Sequence, residues 1–340
     1  MSTSVNRQWR LLRRPVGMVT AADFTHDEQP IPRPGDGEAL VRTLYVSFDP
    51  AMRAFLHDRP SYVPPQPIGE VMRAGAIGQV VESRTAALAP GDFVLGSFGW
   101  QEYALASGSG PLGAMKVTPT RPLTDYMSAL GGTGLTAYFG LLDVGRITAG
   151  ETVLISGAAG ATGSSAMQIA KIKGCRTIGI AGGAAKCRWL VDELGADGAI
   201  DYKNESLPRR LSELCPNGVH VYFDNVGGST LEAAIGATMR QGRIVLCGMI
   251  SGYNDAVPTP GPSNLFELVA RSIRMEGFLA YDFATKFEEA RRELESWMAA
   301  GTLKAHVDVQ EGFENIPTTF LRIFTGANVG KQLLKIADPV

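Results

Sequence analysis

The chain has 340 residues, 32 Lys plus Arg against 34 Asp plus Glu, and a formal net charge of −2. No basic block exceeds Arg13-Arg14 or Arg209-Arg210, which argues against nucleic acid or an anionic membrane as partner. No run reaches the roughly 18 apolar residues of a membrane helix, and no apolar h-region stands near the N-terminus. The length points to two domains, and the scattered Cys175, Cys187, Cys215 and Cys247 have no CxxC spacing, so reduced thiols in a cytoplasmic protein are expected.

Residues 39–48, 77–82, 92–97 and 101–106 are short alternating runs separated by Pro and Gly, the pattern of a barrel-like β domain. From Tyr126 the pattern turns to helix and strand in alternation. Residues 135–142 predict an apolar helix, and 152–155, 177–181, 219–224, 243–247 and 274–278 predict strands. Residues 287–298 carry Phe287, Leu294, Trp297 and Met298 near helical spacing, and 306–313 and 330–336 look β-like again. The expected fold class is α/β. A Rossmann-type doubly wound parallel sheet, residues 126–300, is inserted into a β domain made of 1–125 and 301–340.

Residues 152–186 carry the most information. An apolar run feeds a glycine-rich turn, a helical pattern follows to Gly174, and a second apolar run begins at Thr177. Gly157, Gly160 and Gly163 have the spacing GxxGxxG, a variant of the dinucleotide-binding turn. Glycines there permit the tight turn, a close backbone approach to a pyrophosphate, and close helix–strand packing. Ala161, Thr162 and Gly163 then offer a helix N-terminus to the phosphates. NAD-binding units end the second strand in a carboxylate, but here Ala181, Gly182 and Gly183 lead to Lys186 and Arg188, and no Asp or Glu comes before Asp192. A 2′-phosphate suits that pocket, so NADP(H) is expected over NAD(H). Gly182 and Gly183 give Lys186 room to reach back; Arg188 reads equally as a solvated helix face.

Eight words carry a resemblance across nearly the whole chain: SFDPAMR (47–53), SYVPP (61–65), GEVMRAG (69–75), GLTAYFGLLDVG (134–145), GAAGATGS (157–164), FDNVGG (223–228), CGMISGYN (247–254) and GANVGK (326–331). The sequence resembles the zinc-free medium-chain dehydrogenases/reductases, and within them the NADPH-dependent alkenal/one reductases, which include prostaglandin and curcumin reductases. The resemblance implies a GroES-like β-barrel domain around the Rossmann domain, a homodimer, and reduction of the carbon–carbon double bond of enones and enals.

Zinc enzymes share the superfamily, so the ligands matter. Residues 1–125 contain no cysteine, their only histidines are His26 and His57, and Ile68-Gly69-Glu70 stands where zinc relatives have Gly-His-Glu. A catalytic zinc needs about three protein ligands, so no metal is expected. Conjugate reduction asks for less: hydride reaches the β-carbon, donors stabilise the enolate oxygen, and a hydroxyl or water protonates the α-carbon. Tyr253, just past a strand end in the CGMISGYN loop, is the first catalytic candidate, against a reading as a dimer-packing loop residue. Tyr62, in its proline-set loop, is the second, against a turn-stabilising role.

The family resemblance also implies that Tyr202 lies on the adenosine phosphate, that Asn225 reaches the cofactor, and that Cys247, through its backbone, and Ser251 lie near the nicotinamide half. Thr133 and Asn328 are implied contacts to nicotinamide or ribose, with Lys331 assisting. One departure stands out: Ala51 occupies the position where relatives commonly carry a tyrosine in DPYMR, so an enlarged pocket for bulkier enones is expected. Quinone reduction is the alternative within the class, and a non-catalytic NADPH-binding protein the alternative outside it. In the expected homodimer, the strand at 274–278 pairs edge to edge with its copy, and no partner beyond a small-molecule substrate is expected.

Overall fold

The computed structural model describes residues 5–58, 61–108, 113–257 and 260–340. The chain divides into two units, one of Met1–Met127, Asp308–Asn328 and Gln332–Val340, the other of Ser128–Val307 and Val329–Lys331. The first unit opens with an antiparallel hairpin of β1 (Val5–Leu11) and β2 (Phe24–Pro30), in register from Val5↔Pro30 to Leu11↔Phe24. Then come β3 (Glu38–Ser47), the short helix α1 (Met52–Phe55), β4 (Ala76–Ser83), β5 (Phe93–Gly96), β6 (Tyr103–Ser107), β7 (Met115–Val117) and α2 (Leu123–Met127).

The second unit alternates helix and strand. It runs α3 (Gly132–Phe139), β8 (Thr152–Ser156), α4 (Ala161–Ile172), β9 (Arg176–Ala181), α5 (Ala184–Asp192), β10 (Gly198–Asp201) and α6 (Leu207–Leu214). It continues with β11 (Val219–Asp224), α7 (Gly228–Ala237), β12 (Thr238–Leu246), α8 (Phe266–Ala270), β13 (Arg274–Gly277) and α9 (Phe287–Ala299). The tail supplies β14 (Val307–Glu311), α10 (Ile316–Thr325) and β15 (Lys331–Lys335).

In the first unit the main sheet has the order β14-β15-β3-β4-β5-β7, with β6 also on β3. β3 is buried at seven of its ten positions and β4 over its first five residues, so both lie at the centre of this unit. The core centres on Trp100, fully buried, with ring centroids of Phe24 at 4.8 Å, Phe320 at 5.5 Å and Phe48 at 5.9 Å. Tilted and edge-on contacts of this kind contribute roughly 0.5–1.5 kcal/mol each beyond the area they bury.

In the second unit the described strands form one parallel sheet of order β10-β9-β8-β11-β12-β13. Counted from β8 this is the doubly wound order, and the winding reverses between β8 and β11. Continuous apolar runs fill the sheet: Val153, Leu154 and Ile155 on β8 and Val219, Val221, Tyr222 and Phe223 on β11 are all at 0% exposure. Strands covered by helices on both faces need such runs. The expected strand at 243–247 begins earlier, at Thr238, and the expected helix at 135–142 divides into α3 and a π turn over Gly140–Val144. Gly140 belongs there because a Cβ would stand 2.5 Å from Phe223 and 2.6 Å from Phe278.

The tightest joint is between β8 and α4. A Cβ on Gly163 would lie 2.2 Å from the Gly157 carbonyl oxygen and 2.7 Å from Ala158 Cα. Both are backbone atoms of a fixed turn, so neither can yield cheaply. Gly163→Ala is expected to lower stability by about 2 kcal/mol, read as a drop in urea midpoint at unchanged slope. Gly132→Ala, where a built Cβ meets nothing within 4 Å, should leave the midpoint nearly unchanged.

Candidate functional site

The C-terminal ends of β8, β9, β11 and β12 carry most of the residues singled out from the sequence. After Ser156 the chain turns at Gly157, with φ +58°, and Gly160 caps α4 in an extended conformation. Ala161, Thr162 and Gly163 form the first helical turn, whose N–H groups have no acceptor within the helix and face outward with the positive dipole end. The segment Val329–Lys331 returns onto this turn. The Gly330 N–H donates to the Ala159 carbonyl at 2.8 Å, and the Lys331 N–H donates to the His306 carbonyl at 2.8 Å. A Cβ on Gly330 would meet that same carbonyl oxygen at 2.2 Å, which explains glycine there. Lys331 is 2% exposed.

At the end of β9, Gly182 and Gly183 lead into α5, with Lys186 half-buried in its first turn and Arg188 exposed. The Tyr202 N–H donates to the Ala181 carbonyl at 3.2 Å, and a Cβ on Gly182 would lie 2.9 Å from the Tyr202 ring. No carboxylate follows β9 in the sequence before Asp192, yet one lies beside it in space. Asp201 ends β10 and is the ladder partner of Ala181. Its carboxylate accepts the Gly183 N–H at 2.7 Å, the Asn204 amide at 2.8 Å and the Lys203 N–H at 3.1 Å. Those bonds, that from Asn204 first, hold its pKa below the usual carboxylate range. An anion so committed to local donors offers little capacity to a ribose hydroxyl.

Between β8 and β11 a second buried carboxylate organises the crevice. Asp224, 1% exposed, accepts the Tyr222 hydroxyl at 2.6 Å, the Ser156 hydroxyl at 2.9 Å, the Val226 N–H at 2.9 Å and the Gly227 N–H at 3.0 Å. Asn225 lies beside it, its amide donating to the Ser156 carbonyl at 2.7 Å and its N–H to the Ser156 hydroxyl at 2.9 Å. Beyond β12 the Cys247 and Gly248 N–H groups donate to the Asp224 carbonyl at 2.8 and 3.0 Å. Burial, reinforced by Asp224, pushes the Cys247 thiol up to about 12, so it stays protonated and unreactive at neutral pH.

The loop then folds back on itself. The Ser251 hydroxyl donates to the Val226 carbonyl at 2.6 Å. The Tyr253 phenol accepts the Met249 N–H at 3.3 Å, and a Cβ on Gly248 would stand 3.4 Å from that oxygen. Burial raises the Tyr253 pKa, with Cys247 and Asp224 adding to the effect, so the phenol keeps its proton. Ser156, Asn225, Cys247, Ser251 and Tyr253 are thus brought together around Asp224. Neither Asp224 nor Ser156 stands out in the sequence, although FDNVGG contains the former.

The other candidates are more dispersed. The Thr133 hydroxyl donates to the Ser128 carbonyl at 3.0 Å, closing the turn before α3. Asn328 follows the left-handed Gly326 that ends α10. In the first unit Tyr62 is half exposed, its ring edge-on to Phe55 at 6.0 Å, and the Arg73 guanidinium lies 5.6 Å from the Phe55 ring centre. Ala51 precedes α1, its carbonyl accepting the Ala54 N–H at 3.0 Å. Among the described residues no group of three or more His, Cys, Asp or Glu is placed to hold a metal ion, and no helix is long and apolar enough to cross a membrane.

A doubly wound sheet with this glycine turn, joined to a β-rich unit, defines an oxidoreductase of the medium-chain dehydrogenase/reductase type. Residues 7–113 match the family described as the N-terminal domain of oxidoreductase, and residues 161–296 match the zinc-binding dehydrogenase family. The chain belongs to the zinc-free reductase group of that superfamily. It is 44% identical to YfmJ of Bacillus subtilis (strain 168), over 99% of each chain. It is 39% identical to the NADPH-dependent curcumin reductase of Escherichia coli (strain K12), over 98% of this chain and 97% of the relative. Prostaglandin reductase 1 of Bos taurus is 38% identical over 97% and 98%. Among solved structures, CurA of Vibrio vulnificus in complex with NADPH superposes with a TM-score of 0.93 at 37% identity, over 98% of this chain and 100% of that one. A quinone oxidoreductase of Escherichia coli, at 22% identity and a TM-score of 0.77 over 97% and 99%, shares the fold alone.

Asp224→Ala removes the acceptor of four buried or half-buried donors. A loss of at least about 3 kcal/mol in urea unfolding is expected, since each hydrogen bond to a charged group contributes roughly 1.5–3 kcal/mol.

Proposed function

We infer that the protein is an NADPH-dependent reductase of the carbon–carbon double bond in α,β-unsaturated ketones and aldehydes. Curcumin and prostaglandin reductases, both double-bond reductases, match it at 39% and 38% identity over nearly its whole length. The observation that carries the reading on the protein side is Tyr253, a protonated phenol anchored at the C-terminal edge of the parallel sheet. Ligands of open α/β sheets bind along that edge.

The glycine cradle fits a dinucleotide, because its closest approaches are filled by backbone where a side chain would stand. In this reading Gly157, Gly160, Ala161, Thr162 and Gly163 hold the pyrophosphate, Gly182, Lys186 and Tyr202 the adenosine 2′-phosphate. Thr133, Asn225, Cys247, Ser251 and Asn328 line the nicotinamide half. NADPH, when bound, supplies hydride to the β-carbon of the substrate. The Tyr253 hydroxyl donates to the carbonyl oxygen as enolate charge develops there, and the Met249 N–H on the phenol oxygen strengthens that donor. Tyr253 or water then protonates the α-carbon. Tyr62 is the second candidate hydroxyl, and the small Ala51 is read as favouring bulky enones. The half-buried and buried thiols fit a cytoplasmic location.

Loss of reduced-nicotinamide absorbance with a small enal, an aryl enone, a bulky dienone, a quinone and a saturated ketone tests this. The expected outcome is NADPH-selective turnover of enals and enones to saturated carbonyls, with kcat about 100-fold lower in Tyr253→Phe and the bulky dienone disfavoured in Ala51→Tyr. Turnover of the quinone alone would replace this reading with quinone reduction. Coenzyme binding without any turnover would leave a non-catalytic binding protein.

We further propose a homodimer paired through β13, which lies at one edge of the parallel sheet. Phe266, Val269 and Tyr281, on the segments flanking it, are 76%, 71% and 78% exposed. Antiparallel self-pairing about Met275 sets Arg274 against the partner's Glu276, a complementary cross-strand pair. Light scattering after size exclusion should give the dimer mass for the native chain and the monomer mass for Phe266→Glu. A native monomer at micromolar concentration would overturn it.

A further inference from the structure

We propose that Lys203, on the turn after β10, is a coenzyme-specificity residue that reaches the 2′-phosphate of NADP(H) from the side opposite Lys186. The inference rests on the coenzyme reading of the Rossmann unit given above.

Three observations support it. First, the Lys203 side chain lies over the end of β9: a Cβ built on Gly182 would stand 2.9 Å from Lys203 Cε, the same distance as from the Tyr202 ring. The ammonium, one bond beyond Cε, is therefore held within a few ångströms of the glycine pair where a coenzyme's adenosine ribose lies in this fold. Any residue larger than glycine at 182 would push both side chains away, so the missing Cβ makes room for Lys203 as well as for Tyr202.

Second, the turn that carries Lys203 is fixed to the strand end. Its own N–H and that of Gly183 both donate to Asp201, at 3.1 and 2.7 Å, and the neighbouring Tyr202 N–H donates to the Ala181 carbonyl at 3.2 Å. The Asp201 N–H donates in turn to Glu205 at 2.7 Å, and Glu205 pairs with Arg210 at 2.9 Å. The backbone under Lys203 is thereby set by bonds to both strands, which lowers the entropic cost of placing a flexible side chain.

Third, the Lys203 ammonium is exposed and feels the Asp201 charge without forming a salt bridge to it. Three lysines of this unit are engaged in ion pairs, Lys171 with Asp197 at 3.2 Å, Lys173 with Glu293 at 2.9 Å and Lys286 with Asp143 at 2.6 Å. Lys203 makes no such ion pair among the described residues. Asp201, a carboxylate close to it, spends its oxygens on Gly183, Asn204 and the Lys203 N–H. An exposed ammonium with a fixed base and no competing ion pair suits a dianionic phosphate, which accepts from several cations at once.

The test is a fluorescence titration of the native enzyme and four variants with NADPH and NADH, together with 2′,5′-ADP and 5′-AMP as probes of the phosphate itself. Lys203→Ala is expected to raise the Kd for NADPH and 2′,5′-ADP about tenfold, leaving NADH and 5′-AMP within about twofold. Lys203→Arg should restore most of the loss. Arg240→Ala removes a cation from the opposite end of the sheet and should change neither series. If Lys203→Ala weakens both coenzymes equally, or matches Arg240→Ala, the proposal is wrong. Lys186→Ala separates the two levels of the argument. Loss of NADPH preference there, with Lys203→Ala unaffected, would keep the coenzyme pocket and remove Lys203 from it. Unchanged preference in both would overturn the pocket itself.

Discussion

A carboxylate shut away from water must collect donors or lose its charge, and Asp224 meets that demand at the point where the sheet reverses its winding. Its donors come from β8 through Ser156, from β11 through Tyr222, and from the following turn through Val226 and Gly227. Satisfying one ion therefore fixes the separation of two strand ends and the path of the chain that leaves them. The Asp224 carbonyl extends the constraint to β12, because it accepts the N–H groups of Cys247 and Gly248. The loop carrying Ser251 and Tyr253 starts from that anchored pair. The position of the phenol is thus tied to the buried ion on the neighbouring strand and not to the loop's own propensities alone.

Opposite this polar anchor the packing is governed by what is missing. Gly163 and Gly330 both sit where a Cβ would fall 2.2 Å from a backbone oxygen. The first lets α4 lie against the turn that precedes it; the second lets the returning segment lie against His306. Together they bring three backbone stretches around Ala159 and Gly160 with no side chain between them. A surface made of N–H groups results, and such a surface suits phosphates better than any single side chain, because its donors are fixed before a ligand arrives.

Much of this could be read from the chain. GAAGATGS between two apolar runs specifies strand, turn and helix, because glycine adopts φ near +58° at 157 without strain and only glycine leaves out the Cβ that would clash at 163. The apolar run at Val219–Asp224 is equally legible, since a strand covered on both faces must be apolar throughout. What escaped were elements whose pattern is local and weak. β10 has only four residues, GAID, too few for a period to show. The hairpin of β1 and β2 is rich in charged residues because much of its surface stays wet, and α10 hides between two β-like stretches. Missing β10 had a cost at the site. Asp201 faces Ala181 only through sheet pairing, across 20 residues of sequence, so the strand end read as free of carboxylate when one lies beside it. The conclusion about the coenzyme survives because that carboxylate is already bound to Gly183, Lys203 and Asn204.

The charge pattern along the C-terminal edge of the sheet gives the site a direction. Near β9 and β10 stand Lys186, Arg188 and Lys203, with Asp201 tied up in local hydrogen bonds. Near β11 and β12 the ionisable groups are held neutral or internally compensated. Tyr253 keeps its proton, the Cys247 thiol is pushed up to about 12, and Asp224 is surrounded by four donors. A ligand with phosphate at one end and a near-neutral ring at the other has one favourable orientation on such an edge, because reversing it would move phosphate away from Lys186, Arg188 and Lys203 and put it beside Asp224. The same neutrality serves conjugate reduction. A fixed cation beside the carbonyl would stabilise the enolate but would also compete for water, whereas a buried phenol donates a hydrogen bond that strengthens as charge moves onto oxygen and is weak before it does. Burial of Tyr253 keeps its phenol protonated across the neutral range, so under the proposed mechanism the sheet edge orients the ligand with charge and offers the reacting oxygen a neutral donor.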